Sequence, residues 1–96
     1  MKKHTLSPLA QSDIEDIWDF TAERWNIDQA ETYVRQIMEA IGVIADKPGL
    51  GQSCDDVRAG YRKWPVGSHI LFYRVVAGAI DVVRILHERM DVDSQL

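Results

Sequence analysis

Tyr61-Arg62-Lys63-Trp64-Pro65, Val66-Gly67-Ser68, His69-Ile70-Leu71-Phe72-Tyr73-Arg74-Val75-Val76, Ala77-Gly78, Ala79-Ile80-Asp81-Val82-Val83-Arg84-Ile85-Leu86 is the run that decides the fold. Its apolar positions are β-branched or aromatic, which suits a pleated, half-buried surface better than a helix. Val66-Gly67-Ser68 reads as a turn. Ala77-Gly78 reads as the tight link of a hairpin between two apolar runs. Pro65 offers no N–H to a ladder, so the end of the first strand should lack a partner on one side. Three antiparallel strands are therefore expected over 61–65, 69–76 and 79–86.

Upstream, the periodicity changes from two to three and four. Ser7-Pro8 is a helix start, with Ser at the cap and Pro where a missing N–H is harmless. Ala10, Ile14, Ile17, Trp18, Thr21 and Trp25 then form one stripe of an amphipathic helix. Asn26-Ile27-Asp28 interrupts it, and Asp28 with Glu31 resembles a capping box. A second stripe runs through Ala30, Tyr33, Val34, Ile37, Met38, Ile41 and Ile44 to the stop at Asp46-Lys47-Pro48-Gly49. A short link between two such helices predicts an antiparallel helical hairpin. Lys3–Leu6 reads as a short first strand, 50–59 as a loop, and Glu88–Leu96 as a polar tail that frays. The order strand, helix, helix, three strands (βααβββ) gives an α+β fold with the hairpin on one sheet face. The 96 residues suit one domain, 1–96, burying roughly 60% of the unfolded surface.

The formal net charge is −4, where a dedicated nucleic-acid binder is usually basic. The charge is uneven. Residues 1–47 hold nine acids and five bases, and 48–96 hold six of each, so an anion-facing surface belongs to the C-terminal half. Cys54 is the only cysteine, which excludes an internal disulfide and fits a reducing, cytoplasmic setting. No signal-peptide core and no apolar stretch near the ~20 residues of a membrane span is present.

No phosphate-binding glycine loop, zinc motif or nucleophile triad is found. Gly49-x-Gly51 is a loop feature. His4, His69 and His87 are scattered, so no metal site and no cofactor are expected. Glu15, Asp16 and Asp19 read as a solvated helix face. Trp18 and Trp25 belong to the core stripe, although the enrichment of Trp at interfaces leaves one of them as a partner contact. Arg58, Arg62, Lys63, Arg74, Arg84, His87 and Arg89 allow two readings. Gathered on a sheet face, they would hold RNA phosphate and supply an acid or base. Alternatively they pair with the acidic helices or with an acidic protein, which a net acidic composition favours.

Several stretches bear a resemblance. Leu6-Ser7-Pro8-Leu9-Ala10-x-x-Asp13-Ile14 with Ile17-Trp18, then Tyr61-Arg62, then His69-Ile70-Leu71-Phe72-Tyr73-Arg74, resemble the ParE/RelE toxin superfamily. Ile80-Asp81-Val82-Val83-Arg84-Ile85-Leu86-His87-Glu88-Arg89-Met90-Asp91 is similar to the closing strand of its ParE branch. The resemblance implies the toxin of a type II toxin–antitoxin module, neutralised by a ParD-like antitoxin with which it forms a hetero-oligomer. ParE toxins poison DNA gyrase by binding, without catalysis; RelE toxins cleave messenger RNA on the ribosome. No tyrosine follows Tyr73, where RelE-type enzymes commonly carry one, and the acidic balance suits ribosomal RNA poorly. The ParE reading is therefore preferred, with no sequence-specific nucleic-acid binding. It assigns target contact to Arg58, Arg62, Arg84, His87, Glu88, Arg89 and Met90, and antitoxin contact to Trp18, Trp25, Tyr33 and Trp64. As a nuclease the chain would use Arg62, Arg84 and His87. A third reading is a partner-binding module without toxicity.

Overall fold

The computed structural model describes residues 3–96. Strand β1 (His4–Leu6) leads into α1 (Pro8–Arg24) and α2 (Ile27–Asp46). A 3₁₀ turn (Pro48–Leu50) and β2 (Gln52–Ser53) follow, then β3 (Tyr61–Val66), β4 (His69–Val76), β5 (Ala79–His87) and α3 (Val92–Gln95).

Both long helices are capped by side chains. Ser7 Oγ accepts the Ala10 N–H at 3.0 Å and donates to the Val83 carbonyl at 2.6 Å, so one hydroxyl starts α1 and ties it to β5. The capping box expected at Asp28–Glu31 is corrected: Asn26 Oδ1 accepts the Gln29 N–H at 2.8 Å and α2 starts at Ile27. Asn caps as well as Asp, and Asn26 has the extended backbone a cap needs. Asp28 instead occupies the first turn, where the helix dipole favours its charge.

The sheet has five strands in the order β1-β5-β4-β3-β2, one more than the four expected. Gln52 and Ser53, expected in a loop, pair antiparallel with Lys63 and Arg62. β1 lies parallel to β5, with His4 opposite Ile80 and Leu6 opposite Val82. A parallel neighbour needs a long crossover, and the hairpin with everything after it provides one. β2 stops short of Pro65, which therefore sits where β3 has no outer neighbour.

Ala77 and Gly78 both have positive φ, 51° and 79°, the geometry of the β4–β5 hairpin turn. From that turn the register runs regularly to Tyr73 opposite Val82, then slips, so that Phe72 faces Arg84 and Val83 is the extra residue of a bulge. The slip has a packing consequence. Strict alternation would set Arg84 beside Ile80 and Val82 under the helices; with the bulge, Ile85 takes that place and Arg84 leaves the core.

The main core lies between hairpin and sheet, with Ile17, Ile37, Ile41 and Ile44 against Leu71, Tyr73, Ile80, Val82 and Ile85. Tyr73, fully buried, accepts the Gly51 N–H at 2.9 Å and donates to the Pro48 carbonyl at 2.7 Å. A Cβ on Gly51 would stand 2.1 Å from that hydroxyl, so only glycine fits. On the opposite face Cys54, Phe72 and Leu86 form a second, smaller cluster under Val57, Val92 and Leu96. The tail is thus packed where fraying was expected. Arg58 donates to the Leu96 carbonyl, and Arg84 Nη1 donates to that of Gln95 at 3.2 Å.

A candidate binding cleft between the hairpin and the sheet

The tip of the helical hairpin and the end of the sheet enclose a cleft of about 290 Å³. α1 supplies Phe20 and Trp25, α2 supplies Tyr33, and the sheet supplies His69 and His87 as the floor. Trp25 ends α1 and is 66% exposed; Phe20 is 65% exposed. The core role expected for Trp25 is therefore corrected: as the C-cap residue it falls where the helix leaves the stripe. The Arg24 guanidinium lies over its ring at 5.9 Å.

Tyr33 organises the floor. Its hydroxyl accepts the Ser68 N–H at 3.0 Å and lies 2.7 Å from His69 Nδ1 and 3.3 Å from the Val66 carbonyl. The shorter contact makes His69 Nδ1 the acceptor of the tyrosine proton. Gly67, with φ at +56°, admits the ring: a Cβ there would stand 2.7 Å from it. Burial raises the Tyr33 pKa. His69 and His87 are directly opposed in the ladder, with ring centroids 5.3 Å apart and nearly perpendicular planes. Burial, and secondarily the neighbouring His87, lower the pKa of His69, so it is neutral at pH 7. His87 Nδ1 accepts the Arg89 N–H at 3.2 Å. Counting from the two-residue turn alone would set Leu86 opposite His69. The Val83 bulge delivers His87 instead, which is why two histidines scattered in sequence meet in space.

The remaining expected site residues separate into two groups. Arg84 pairs with Asp13 through two bonds of 2.8 and 2.9 Å, and Asp13 also accepts the Ile85 N–H at 2.9 Å. Both side chains are largely buried. Asp13 thus occupies the edge of β5 just beyond the end of β1, and the pair raises the Arg84 pKa further. Arg62 donates to the Gly51 carbonyl at 2.6 Å and helps hold the turn that Tyr73 anchors. Arg62 and Arg84, expected among the target-facing groups, each have an internal partner. They also stand on strands separated by β4, roughly 10 Å apart at the usual strand spacing, and do not converge with His87. Glu88, Arg89 and Met90 are exposed in the turn after β5, and Arg58 is exposed beside the C-terminus. Trp18 is half-buried on α1, and Trp64 packs against the edge of the main core, away from the cleft lining. No cluster of three metal-ligating side chains occurs among the described residues.

Sequence reasoning missed Phe20, His69 and Asp13. Phe20 lies off the apolar stripe of α1, which was itself a signal of an outward aromatic. Asp13 was visible within the Leu6–Ile14 run, but nothing local marks it as the partner of Arg84.

Comparison with known proteins follows the same outline. The family of the ParE toxin of the type II toxin–antitoxin system, parDE, matches residues 5–92. Toxin ParE1 of Mycobacterium tuberculosis is 55% identical over 95 residues, covering 98% of this chain and 97% of that protein. Toxin ParE1 of Caulobacter vibrioides is 41% identical over 96 residues, covering 100% and 99%. Among solved structures, the chromosomal ParDE TA system from P. aeruginosa superposes with a TM-score of 0.78 at 19% identity, over 91% of this chain and 96% of that one. At that identity the match speaks for the fold.

Proposed function

Since the chain belongs to the ParE toxin family of type II toxin–antitoxin systems, we propose that it inhibits DNA gyrase by binding when free, and that a ParD-like antitoxin holds it silent. In this reading the toxin, residues 1–96 acting as one domain, works in the cytoplasm and forms a hetero-oligomer with its antitoxin.

The observation that carries binding over catalysis is the commitment of the two strand arginines. A ribonuclease reading needs Arg62, Arg84 and His87 around one phosphate. Here Arg84 is locked to Asp13, Arg62 to Gly51, and His87 faces the cleft beside His69, with neither arginine in the lining. Removing Arg84 from Asp13 would leave a buried carboxylate unpaired, so the pair is not free to serve a substrate. The surface left for a target is the exposed turn Glu88-Arg89-Met90 with Arg58 near it. The surface left for the antitoxin is the cleft, where an aromatic wall from Phe20 and Trp25 meets polar groups on the floor, the composition of an interface hot spot.

The test is a supercoiling assay with purified DNA gyrase, with the chain alone and with its antitoxin. Antitoxin-reversible loss of supercoiling with accumulation of cleaved plasmid is expected. Normal supercoiling from a folded, growth-inhibiting chain would refute the gyrase reading and direct the search to ribosome-bound messenger RNA. A folded chain that arrests no growth would support a partner-binding module instead.

A further inference from the structure

We propose that the cleft is a carboxylate-anchoring pocket, in which the His69–His87 pair receives an acidic side chain of the antitoxin while its apolar stem lies between Phe20 and Trp25; this rests on the reading that the antitoxin covers the cleft.

The argument begins with the nitrogen atoms. His87 Nδ1 accepts a backbone N–H, which fixes the proton of the neutral ring on Nε2. His69 Nδ1 lies 2.7 Å from the tyrosine hydroxyl, closer than that hydroxyl's other acceptor, the Val66 carbonyl at 3.3 Å; with the tyrosine proton on the shorter contact, this ring also carries its proton on Nε2. Two adjacent rings of the floor therefore each have one N–H left to offer, since the side-chain contacts of both rings among the described residues run through Nδ1. A metal ion needs a bare nitrogen, which these tautomers withhold. Two donors on neighbouring rings suit the two oxygens of one carboxylate.

Charge points the same way. The lining holds no Asp, Glu, Lys or Arg: α2 presents Gln29, Thr32, Tyr33 and Gln36, and the β3–β4 turn presents Ser68. A cationic ligand would find no counter-ion there, whereas an anionic one meets the two imidazole N–H groups. The acids whose charge reaches His69 are Asp13 of α1, already matched by Arg84, and the exposed Glu88 beyond β5. The volume fits one side chain, not a folded segment.

The probes are 3-phenylpropionate and its neutral isostere 3-phenylpropanamide, added to the full chain while the imidazole proton resonances and Trp25 fluorescence are followed. The carboxylate is expected to bind about tenfold more tightly than the amide at pH 6, the weight of one charge-assisted hydrogen bond. It should also raise the pH at which His69 titrates. His69→Gln, which keeps a donor but takes no proton, should cut the carboxylate's advantage over the amide at pH 6 with the fold intact. Equal affinity for the two probes overturns the proposal, as does binding that leaves both rings unmoved. The antitoxin is tested separately: if the carboxylate binds while added antitoxin moves neither the rings nor Trp25, the antitoxin is not the occupant. If the antitoxin moves them while the amide matches the carboxylate, docking stands and recognition of charge falls.

Discussion

On one face the sheet meets two helices of 17 and 20 residues; on the other it meets a loop and a helix of 4 residues. The helical face buries a continuous isoleucine-rich core, locked at one side by the Tyr73–Gly51 contact. The opposite face buries Cys54, Phe72 and Leu86 under a lid held by Val92, Leu96 and two arginine-to-carbonyl bonds. Apolar area sets how much each face stabilises. Depth of cover sets how readily a vacated site collapses, and so how much of a deleted side chain is felt as a cavity. The helical face should therefore govern whether the chain folds, and the other should govern what happens near its C-terminus.

The sharpest challenge to that division is a pair of truncations. Ile37→Ala should cost about 4 kcal/mol in urea unfolding, near the upper part of the range for a rigid site. Leu86→Ala should cost about 2 kcal/mol, because the thin lid can settle. Equal losses would break the comparison. Next comes the tie between the faces. Asp13→Ala strips Arg84 of its partner and Ile85 of its acceptor, and should cost about 2–3 kcal/mol, less than a fully buried pair because both side chains keep some solvent. Deleting residues 92–96 should cost only about 1 kcal/mol, by loss of two partly buried apolar side chains, while Cys54 becomes reactive toward a thiol reagent. Undiminished protection of Cys54 would show that the lid is not what covers it.

Acid offers a further contrast. The folded pKa of His69 lies below its unfolded value, so the unfolded chain takes up the proton first. The contribution is fully present above the unfolded value near 6.5 and is lost as pH falls from there through the folded value. A melting series from pH 7.5 to 5 should show a decline that His69→Gln reduces. The smallest effect concerns the β4–β5 turn. Ala77 sits at φ 51°, a region where Asn is better tolerated, so Ala77→Asn should add about 0.5 kcal/mol.

The legible parts of this molecule were those governed by local rules. Ser7-Pro8, the two helical stripes and the 77–78 turn each state their structure within a few residues, and together they imply the α+β order. What escaped depended on distant pairing. β2 is two residues long, and Tyr73 and Arg62 fix Gly51 just before it. The bulge at Val83 carries no local signature, yet it decides that Arg84 leaves the core and that His87 meets His69. Candidate site residues chosen by type were therefore divided by register: Trp25, Tyr33 and His87 converge, Arg62 and Arg84 are spent on the scaffold, and Glu88, Arg89 and Met90 remain free.

The parallel pairing of β1 with β5 joins His4 to Ile80, the first strand of the sheet to the last. During synthesis the first strand leaves the ribosome early and has nothing to pair with until the last strand follows. At ordinary elongation rates of about 5–20 residues per second, several seconds separate the two. Ser7 and Asp13 wait equally long for Val83, Ile85 and Arg84. A nascent chain that stops short of β5 thus holds an incomplete sheet edge and no finished cleft, so a protein of a toxin family is assembled only after β5 has been translated.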